Sequence, residues 1–202
     1  MGTNHKPDVV RDKPFLVKNF KQWNDMLSMW LSPEYINESL NKFYKIEKYL
    51  RGTDAIFNNV MDIGCGVAHI PQHFQNKYGS NLFLLEGSSK DHHTFYGKLE
   101  DIDFQIQRKG IQNYELIDIT YLEPNFKPLY KKMDLITSFL AVGHHFDVQP
   151  FWSKWIKEHS KDETKIIFDL RKKSLQRRCK GVKIVEVIDE NDQKILAEVK
   201  II

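Results

Sequence analysis

Five short apolar runs, separated by helical segments, largely determine which fold this chain can adopt. The runs are "NNVMDI", "NLFLLEG", "NYELIDI", "MDLITSFLAV" and "TKIIFDLR". A strand that is apolar throughout is buried on both faces, as in a parallel sheet covered by helices on its two sides. Segments with helical character, such as "AHIPQHFQNKY" and "PFWSKWIKEHS", lie between the runs. This alternation predicts an α/β fold with a doubly wound, mostly parallel sheet.

The last segment, "GVKIVEVIDENDQKILAEVKI", reads as two strands around the polar turn "DEND". A turn this short cannot return a strand in the parallel direction, so the pair is predicted to be an antiparallel hairpin. Together with the five parallel strands, the hairpin gives a predicted seven-stranded sheet that ends in a C-terminal antiparallel pair.

The residues before the first strand are predicted to be helical. Residues 1–14 are polar and contain two prolines, and we expect a loose tail there. Residues 15–52 are expected to form an N-terminal helical cap, in which Ser32 caps a second helix and Pro33 takes its first position. Residues 53–202 are expected to form the α/β domain, as one globular unit with the cap. The second helix shows a predicted apolar stripe of Ile36, Leu40, Phe43, Ile46 and Leu50.

The composition indicates an ordinary globular protein. The chain has 202 residues, of which 41% are hydrophobic and 28% are charged. No apolar run approaches the roughly 18 residues that span a bilayer, and the N-terminus lacks the apolar core of a signal peptide. We therefore expect a cytoplasmic protein with no membrane partner. The two cysteines, Cys65 and Cys179, form no CxxC pair and suggest neither a zinc site nor a disulfide.

The first strand runs into a glycine loop, "VMDIGCGVAHIP", at residues 60–71. Ligands of open α/β sheets bind at the carboxyl ends of the strands, which is where this loop lies. A phosphate-binding loop needs GxxxxGK[ST], which the chain lacks, and a dinucleotide fold needs a small residue at the position held by His69. What remains is an acid, Asp62, followed by Gly64 and Gly66. A carboxylate beside the loop suits a ligand with a positive charge better than a pyrophosphate.

The segment "VMDIGCGVA" resembles motif I of the class I, Rossmann-like S-adenosylmethionine-dependent methyltransferases, with Ala68 where many members carry a third glycine. The resemblance covers roughly residues 50–200. It implies a seven-stranded sheet with a terminal hairpin, S-adenosylmethionine as the cofactor, and 53–202 as the cofactor-binding domain. The loop residues that it assigns to the cofactor are Asp62, Gly64, Cys65 and Gly66.

The same resemblance assigns cofactor contacts to the next three strands. In the family, an acid at the end of the second strand binds both ribose hydroxyls, which implies Glu86 and the adjoining Gly87 here; a carboxylate can accept both hydrogen bonds. The third strand ends at Asp118 and Ile119, which the resemblance places at the adenine amino group and the adenine face. The fourth strand ends at Ser138 and Phe139, which it places beneath the methionine part.

Candidates for proton transfer follow the fourth strand. His144 and His145 lie there, and a histidine can accept a proton near neutral pH. Together with Asp147 they form an incomplete ligand set, so no metal is expected. The motif (D/N)PP(Y/F) and a Pro-Cys pair are both missing after this strand. Their absence argues against methylation of adenine or glutamine amino groups and of cytosine C5.

The sequence indicates less about the molecule that accepts the methyl group than about the cofactor. The net charge of +3 is too small to imply nucleic acid, but residues 171–180, "RKKSLQRRCK", are strongly basic. We expect Arg171 to face the acceptor, with Arg177 and Arg178 further out on the surface. Tyr44 of the helical cap is a second candidate for acceptor binding.

Three functions therefore stay open. The first is an O- or N-methyltransferase acting on a small molecule, with anionic molecules among the candidate acceptors. The second is an RNA methyltransferase that uses the basic run. The third is a non-catalytic S-adenosylmethionine-binding partner or sensor.

Overall fold

The computed structural model describes residues 20–52, 56–87, 99–119, 131–139, 141–143 and 147–202. The tail predicted for residues 1–14 lies outside the described residues. Helices and strands alternate along the described part of the chain, as the sequence predicts. The elements are α1 Phe20–Trp30, α2 Pro33–Leu50, β1 Asn59–Ile63, α3 His69–Tyr78, β2 Asn81–Glu86, α4 Leu99–Arg108, β3 Tyr114–Asp118, β4 Met133–Ser138, α5 Ser153–His159, β5 Ser160–Arg171, α6 Leu175–Arg178, β6 Val182–Glu190 and β7 Lys194–Ile201.

The strands form one seven-stranded sheet in the order β3-β2-β1-β4-β5-β7-β6. β1 is parallel to β2 on one side and to β4 on the other, and β4 is parallel to β5. The pairs β5–β7 and β7–β6 are antiparallel. The predicted mostly parallel sheet with a C-terminal hairpin is therefore confirmed. The strand order reverses between β1 and β4, so the crevice for a ligand opens at the carboxyl ends of these two strands.

A hydrophobic core lies on each face of the sheet, because alternate residues of each apolar strand point to opposite faces. One core packs α1 to α4 against the sheet and the other packs α5 against its opposite face. The first core includes Trp23, Phe43, Ile46, Phe74, Leu84, Leu135 and Ile167. The second includes Met61, Ile63, Phe83, Ile136, Trp155, Ile156 and Phe168.

Helix α2 begins as predicted, since the backbone N–H of Tyr35 donates to the Ser32 hydroxyl over 3.3 Å. The predicted apolar stripe is wrong in the first half of the helix, where Ile36 is 39% exposed. The side chain of Ser39 is buried there instead, and that of Lys42 reaches the sheet. Near the middle of the helix a polar side chain faces inwards because Lys42 meets the carboxylate of Asp169 in the sheet.

Two predicted strand boundaries also differ from the structure. β4 ends at Ser138 and does not continue to Val142, and β5 begins at Ser160, four residues before the predicted start. The early start of β5 is accompanied by an irregularity in its register with β4, between Met133 and Leu135. Among the described residues, no helix has both the length and the apolar character needed to cross a bilayer.

Candidate active site

The glycine loop connects β1 to α3 with a backbone that favours glycine. Gly64, Gly66 and Ala68 all have positive φ, at 76°, 52° and 55°. A Cβ atom on Gly64 would lie 2.4 Å from the Cβ of Ala141, whereas one on Gly66 would lie 3.7 Å from the ring of Trp30. Residue 64 therefore has to be glycine for two reasons, its backbone angle and the close approach of the segment after β4. The positive φ of Ala68 also explains why glycine suits this position of the motif.

The amide groups of the loop are directed into the protein. The N–H groups of Gly64 and Cys65 donate to the carbonyl oxygen of Leu85, over 2.8 and 3.1 Å. The N–H of Gly66 donates to Oε2 of Glu86 over 2.7 Å. A phosphate-binding loop needs such amides to point at the ligand. The satisfied amides and the adjacent carboxylate agree with the exclusion of a phosphate-gripping loop.

Glu86 lies at the end of β2 and bridges the loop to the neighbouring strand. Its side chain accepts hydrogen bonds from Gly66 N–H and, over 3.0 Å, from Gly87 N–H. Burial raises the pKa of the Glu86 carboxyl; these two hydrogen bonds oppose the shift, and the charge of Asp118 adds to it. Asp118 is the register partner of Glu86 on β3 and is exposed, and the backbone N–H of Ile119 donates to the Glu86 carbonyl. The structure thus brings the residues predicted on β2 and β3 together at one edge.

Asp62 is the penultimate residue of β1 and is 2% exposed. The hydroxyl of Thr137 on β4 donates to its Oδ1 over 2.6 Å. Burial raises the pKa of Asp62 to about 7; the Thr137 hydrogen bond lowers it, the charge of Glu86 raises it further and the charge of Lys42 lowers it. Asp62 is therefore a buried carboxyl group that lies near the negative charge of Glu86 and the positive charge of Lys42.

His69, at the position that argues against a dinucleotide, connects three parts of the structure. One ring nitrogen, Nε2, is 2.7 Å from the carbonyl oxygen of Trp30, and the other, Nδ1, is 2.8 Å from Nζ of Lys109. These contacts assign the neutral tautomer in which Nε2–H donates to Trp30 and Nδ1 accepts from Lys109. Burial and the charge of Lys109 lower the pKa of His69 to about 4, which agrees with a neutral ring. Lys109 also donates to the carbonyl oxygen of Val67, in the loop, over 2.6 Å.

Three polar residues near the crevice were missed by the sequence interpretation: Tyr35, Lys42 and Asp169. Nζ of Lys42 is 2.7 Å from Oδ2 of Asp169 and 5.3 Å from the ring centroid of Phe139. Burial raises the pKa of Tyr35 to about 12, with smaller contributions from the charges of Glu38, Asp62, Glu86 and Asp169. Only Asp169 had a signal in the sequence, because it is an acid inside the apolar run "KIIFDLR".

The remaining predicted residues lie in different surroundings. Ser138 is fully buried, donates to the Ile63 carbonyl over 3.0 Å and accepts from Val142 N–H over 2.9 Å, so its hydroxyl joins the ends of two strands. Cys65 is buried in the core beneath the loop. Tyr44 is 55% exposed and its ring lies beside Phe43, so the structure does not bring it to the other predicted residues. The candidates His144 and His145 lie outside the described residues.

The basic run does not form one continuous charged surface. Arg171 ends β5 and is half-buried, whereas Arg178 is fully buried, with an Nη1 atom 3.9 Å from Oδ1 of Asp147. The prediction that Arg178 is an outlying surface charge is therefore wrong, because the short helix α6 turns this side chain into the protein. Lys172 lies 3.3 Å from Glu190, which offsets part of the remaining charge.

Comparison with known proteins supports the assignment of the fold. No protein-family model and no curated protein matches this chain. A solved S-adenosylmethionine-dependent methyltransferase from Aquifex aeolicus is 14% identical with a TM-score of 0.63, over 88% of this chain and 98% of that protein. One from Clostridium acetobutylicum ATCC 824 is 17% identical with a TM-score of 0.53, over 84% of this chain. This chain spans 65% of the length of the Clostridium protein.

A third similar structure is the plantazolicin methyltransferase BpumL, solved in complex with a triazolic desmethylPZN analog and S-adenosylhomocysteine. It is 15% identical with a TM-score of 0.52, over 77% of this chain and 55% of that protein. The present chain has the fold of the class I S-adenosylmethionine-dependent methyltransferases. The fold implied by the motif I resemblance is thereby confirmed.

Proposed function

We propose that this chain is an S-adenosylmethionine-dependent methyltransferase that methylates an oxygen or nitrogen atom of a small molecule. The observation that carries the proposal is the position of Glu86. Its buried carboxylate is fixed by Gly66 N–H above a loop that has no side chain at residues 64 and 66. A carboxylate held in this way can accept the two hydrogen bonds of a ribose diol.

The residues around the crevice fit this cofactor. Glu86 would hold the ribose, Asp118 and Ile119 the adenine, and Asp62 and Phe139 would lie near the methionine part. Asp62 and Glu86 are both carboxylates, which suits a ligand with positive charge and disfavours a pyrophosphate. When bound, the cofactor supplies a methyl group on a sulfonium, which is open to in-line attack by a nucleophile. The part of the protein is to align that nucleophile and to exclude water.

The helical cap contributes to this alignment in our proposal. The ring of Trp30 lies against the glycine loop, 3.7 Å from where a Gly66 side chain would begin. Tyr35 and Lys42 of α2 face the carboxyl ends of β1 and β5. His144 and His145 remain proposed proton acceptors for the nucleophile, and Arg171 remains a proposed contact for an anionic group of the acceptor.

A small-molecule acceptor is favoured over RNA. An RNA-binding surface needs several exposed cations along a backbone. In this chain Arg178 is buried and Lys172 lies close to Glu190. The basic run therefore gives the RNA alternative little support. One observation distinguishes an enzyme from a non-catalytic cofactor-binding partner. Transfer of a labelled methyl group to any acceptor would show that the protein is an enzyme.

The proposal is tested by calorimetry with S-adenosylmethionine, S-adenosylhomocysteine and NAD. We expect binding of both sulfur ligands and no binding of NAD. Labelled S-adenosylmethionine and a panel of amines and alcohols then test for transfer. Binding of NAD alone, with no response to either sulfur ligand, would refute the assignment.

A further inference from the structure

A buried ion pair joins the helical cap to the sheet. Lys42 of α2 and Asp169 of β5 are 127 residues apart in sequence, and Nζ of the lysine lies 2.7 Å from Oδ2 of the aspartate. The side chain of Asp169 is 3% exposed and that of Lys42 is 16% exposed. A buried pair of this kind is not in itself strongly stabilising, because both charges lose their hydration. We therefore ask whether the Lys42–Asp169 pair has a function in ligand binding.

Asp169 lies at the carboxyl edge of the sheet, on the same face as Asp62. In the register of the sheet, Asp62 is paired with Thr137, and Thr137 is paired with Ile167. Asp169 follows Ile167 by two residues, so the side chain of Asp169 points to the same face of the sheet as that of Asp62. β5 is two strands from β1, on the side away from β2, which corresponds to about 10 Å. A cofactor that extends from the glycine loop to Glu86 would leave this side of the crevice open for a second substrate.

Among the residues that the structure describes, one oxygen of Asp169 has no hydrogen-bond partner. Oδ2 accepts from Lys42, but among the described residues nothing donates a hydrogen bond to Oδ1, which is buried. Glu198 offers a comparison on the same face, deeper under α2. Both of its oxygens are satisfied, by Lys165 over 3.0 and 2.9 Å and by the hydroxyl of Tyr49 over 2.6 Å. Buried polar atoms in native proteins normally have partners, so the oxygen at the crevice is the one that a ligand would complete.

The groups around Asp169 restrict what that ligand can be. Phe139 and Lys42 lie on one side, and the Tyr35 ring lies close enough to be influenced by the charges of Asp62, Glu86 and Asp169. Asp169 is an acceptor of hydrogen bonds only. The complementary group is an N–H or O–H beside an apolar or aromatic body.

We propose that Asp169 is an acceptor-binding residue whose Oδ1 accepts a hydrogen bond from the N–H or O–H group that becomes methylated. Lys42 holds the other oxygen and so fixes the orientation of the carboxylate. The inference rests on the proposed function and specifies its substrate class: amines or alcohols, neutral or cationic, with the nucleophilic atom facing β5. Ethers lack an N–H or O–H donor and are excluded.

The test uses four probes of similar size, titrated into the protein saturated with S-adenosylhomocysteine and followed by NMR. Benzylamine and benzyl alcohol carry a donor, benzyl methyl ether lacks one, and benzoate is an anion without a donor. We expect the two donor probes to bind more tightly than the other two. Asp169→Asn should weaken the donor probes about tenfold, the usual effect of losing a hydrogen bond to a charged group. Its affinity for S-adenosylhomocysteine should be unchanged.

Two further variants keep the test decisive. Asp189→Asn is the control, because the Lys45–Asp189 pair comes from the same helix but is exposed. The double variant Lys42→Met/Asp169→Asn removes both buried charges together and is used if the single variant folds poorly. The probe binding of Asp189→Asn should match that of the wild type.

Several outcomes would overturn the assignment of Asp169: no binding of any probe, equal binding of donor and non-donor probes, or donor binding that Asp169→Asn leaves unchanged. A loss of S-adenosylhomocysteine affinity in Asp169→Asn would place the residue at the cofactor instead, and would equally overturn it. Failure of the proposed function is distinguishable, because the wild-type protein would then bind neither S-adenosylmethionine nor S-adenosylhomocysteine.

Discussion

Gly64 and Gly66 share a left-handed backbone but have different neighbours, so they allow a matched comparison. We predict that Gly64→Ala destabilises the protein by several kcal/mol, on the order of the cost of overpacking a core. The added Cβ would lie 2.4 Å from that of Ala141. Gly66→Ala should cost only about 1–2 kcal/mol, the strain of a left-handed residue, because its Cβ has room beside Trp30. Denaturant unfolding of both variants measures the difference, and equal losses would contradict the close approach of Ala141 to the loop.

Glu86 is the residue on which the proposed cofactor affinity depends most. We predict that Glu86→Ala weakens the binding of S-adenosylhomocysteine by about 1–3 kcal/mol, since the ribose hydroxyls lose a charged partner. Glu115→Ala is the control, because Glu115 is an exposed acid on the adjacent strand β3. Calorimetry gives both dissociation constants. An affinity that stays at the wild-type value in Glu86→Ala would mean that the diol is held by another residue.

Three secondary-structure elements meet at His69 and Lys109, which hold together the end of α1, the glycine loop and the end of α4. Lys109 follows directly after α4 and donates to His69 and to the Val67 carbonyl, while His69 donates to the Trp30 carbonyl. The side chain at the third small position of a dinucleotide motif thus has a structural function here. Spacing alone could not indicate that function, because both hydrogen-bond partners of His69, Trp30 and Lys109, are distant in the chain.

We predict that Lys109→Met loosens the loop and weakens S-adenosylhomocysteine binding about tenfold, because two hydrogen bonds to the loop region are lost. Hydrogen exchange at residues 67–69 should become faster in the same variant. Arg108→Met is the control, because Arg108 is the exposed neighbour of Lys109 in the chain. If exchange and affinity respond equally in both variants, the contacts of Lys109 do not hold the loop.

The two halves of α2 show where inference from sequence succeeds and where it fails. Phe43, Ile46 and Leu50 are buried as the apolar period predicts, because they belong to the hydrophobic core under the helix. Nearer the start of the helix the inward side chains are polar, because Ser39 is buried there and Lys42, close to the middle, pairs with Asp169. Periodicity reports only that one face is apolar. It cannot report that the opposing surface changes from hydrocarbon to carboxylate along the helix.

For the molecule as one unit, the mostly parallel sheet and the C-terminal hairpin follow from patterns that are local in the chain. Apolar strands predict a covered parallel sheet, and a short polar turn predicts an antiparallel pair. The sequence indicated only part of the candidate site, because the other part depends on contacts between residues that are distant in the chain. The glycine loop and Glu86 stand next to each other through one parallel pairing, whereas the contact between Lys42 and Asp169 depends on how α2 lies across the sheet.

The stability of the molecule should depend on pH through Asp62. Its folded-state pKa is raised to about 7, above the ordinary value of 3.8. Between these values the unfolded chain releases a proton that the folded protein retains, so the free energy of unfolding falls as pH rises from about 4 to about 7. The slope from one group cannot exceed about 1.4 kcal/mol per pH unit. Asp62→Asn should flatten the profile in urea titrations across this range. An unchanged profile would show that Asp62 titrates normally in the folded protein.

The helical cap is attached to the sheet in a way that bears on how such a protein could change during evolution. In the part of the chain that the structure describes, α1 and α2 reach the rest of the protein through side-chain contacts. These include Trp23 to Asp101, His69 to the Trp30 carbonyl, Lys42 to Asp169 and Tyr49 to Glu198. The sheet keeps its own backbone ladder regardless of which residues the two helices carry. Substitutions on their inner surface are therefore free to alter the preferred acceptor one contact at a time, while the loop that would hold the cofactor is inherited unchanged.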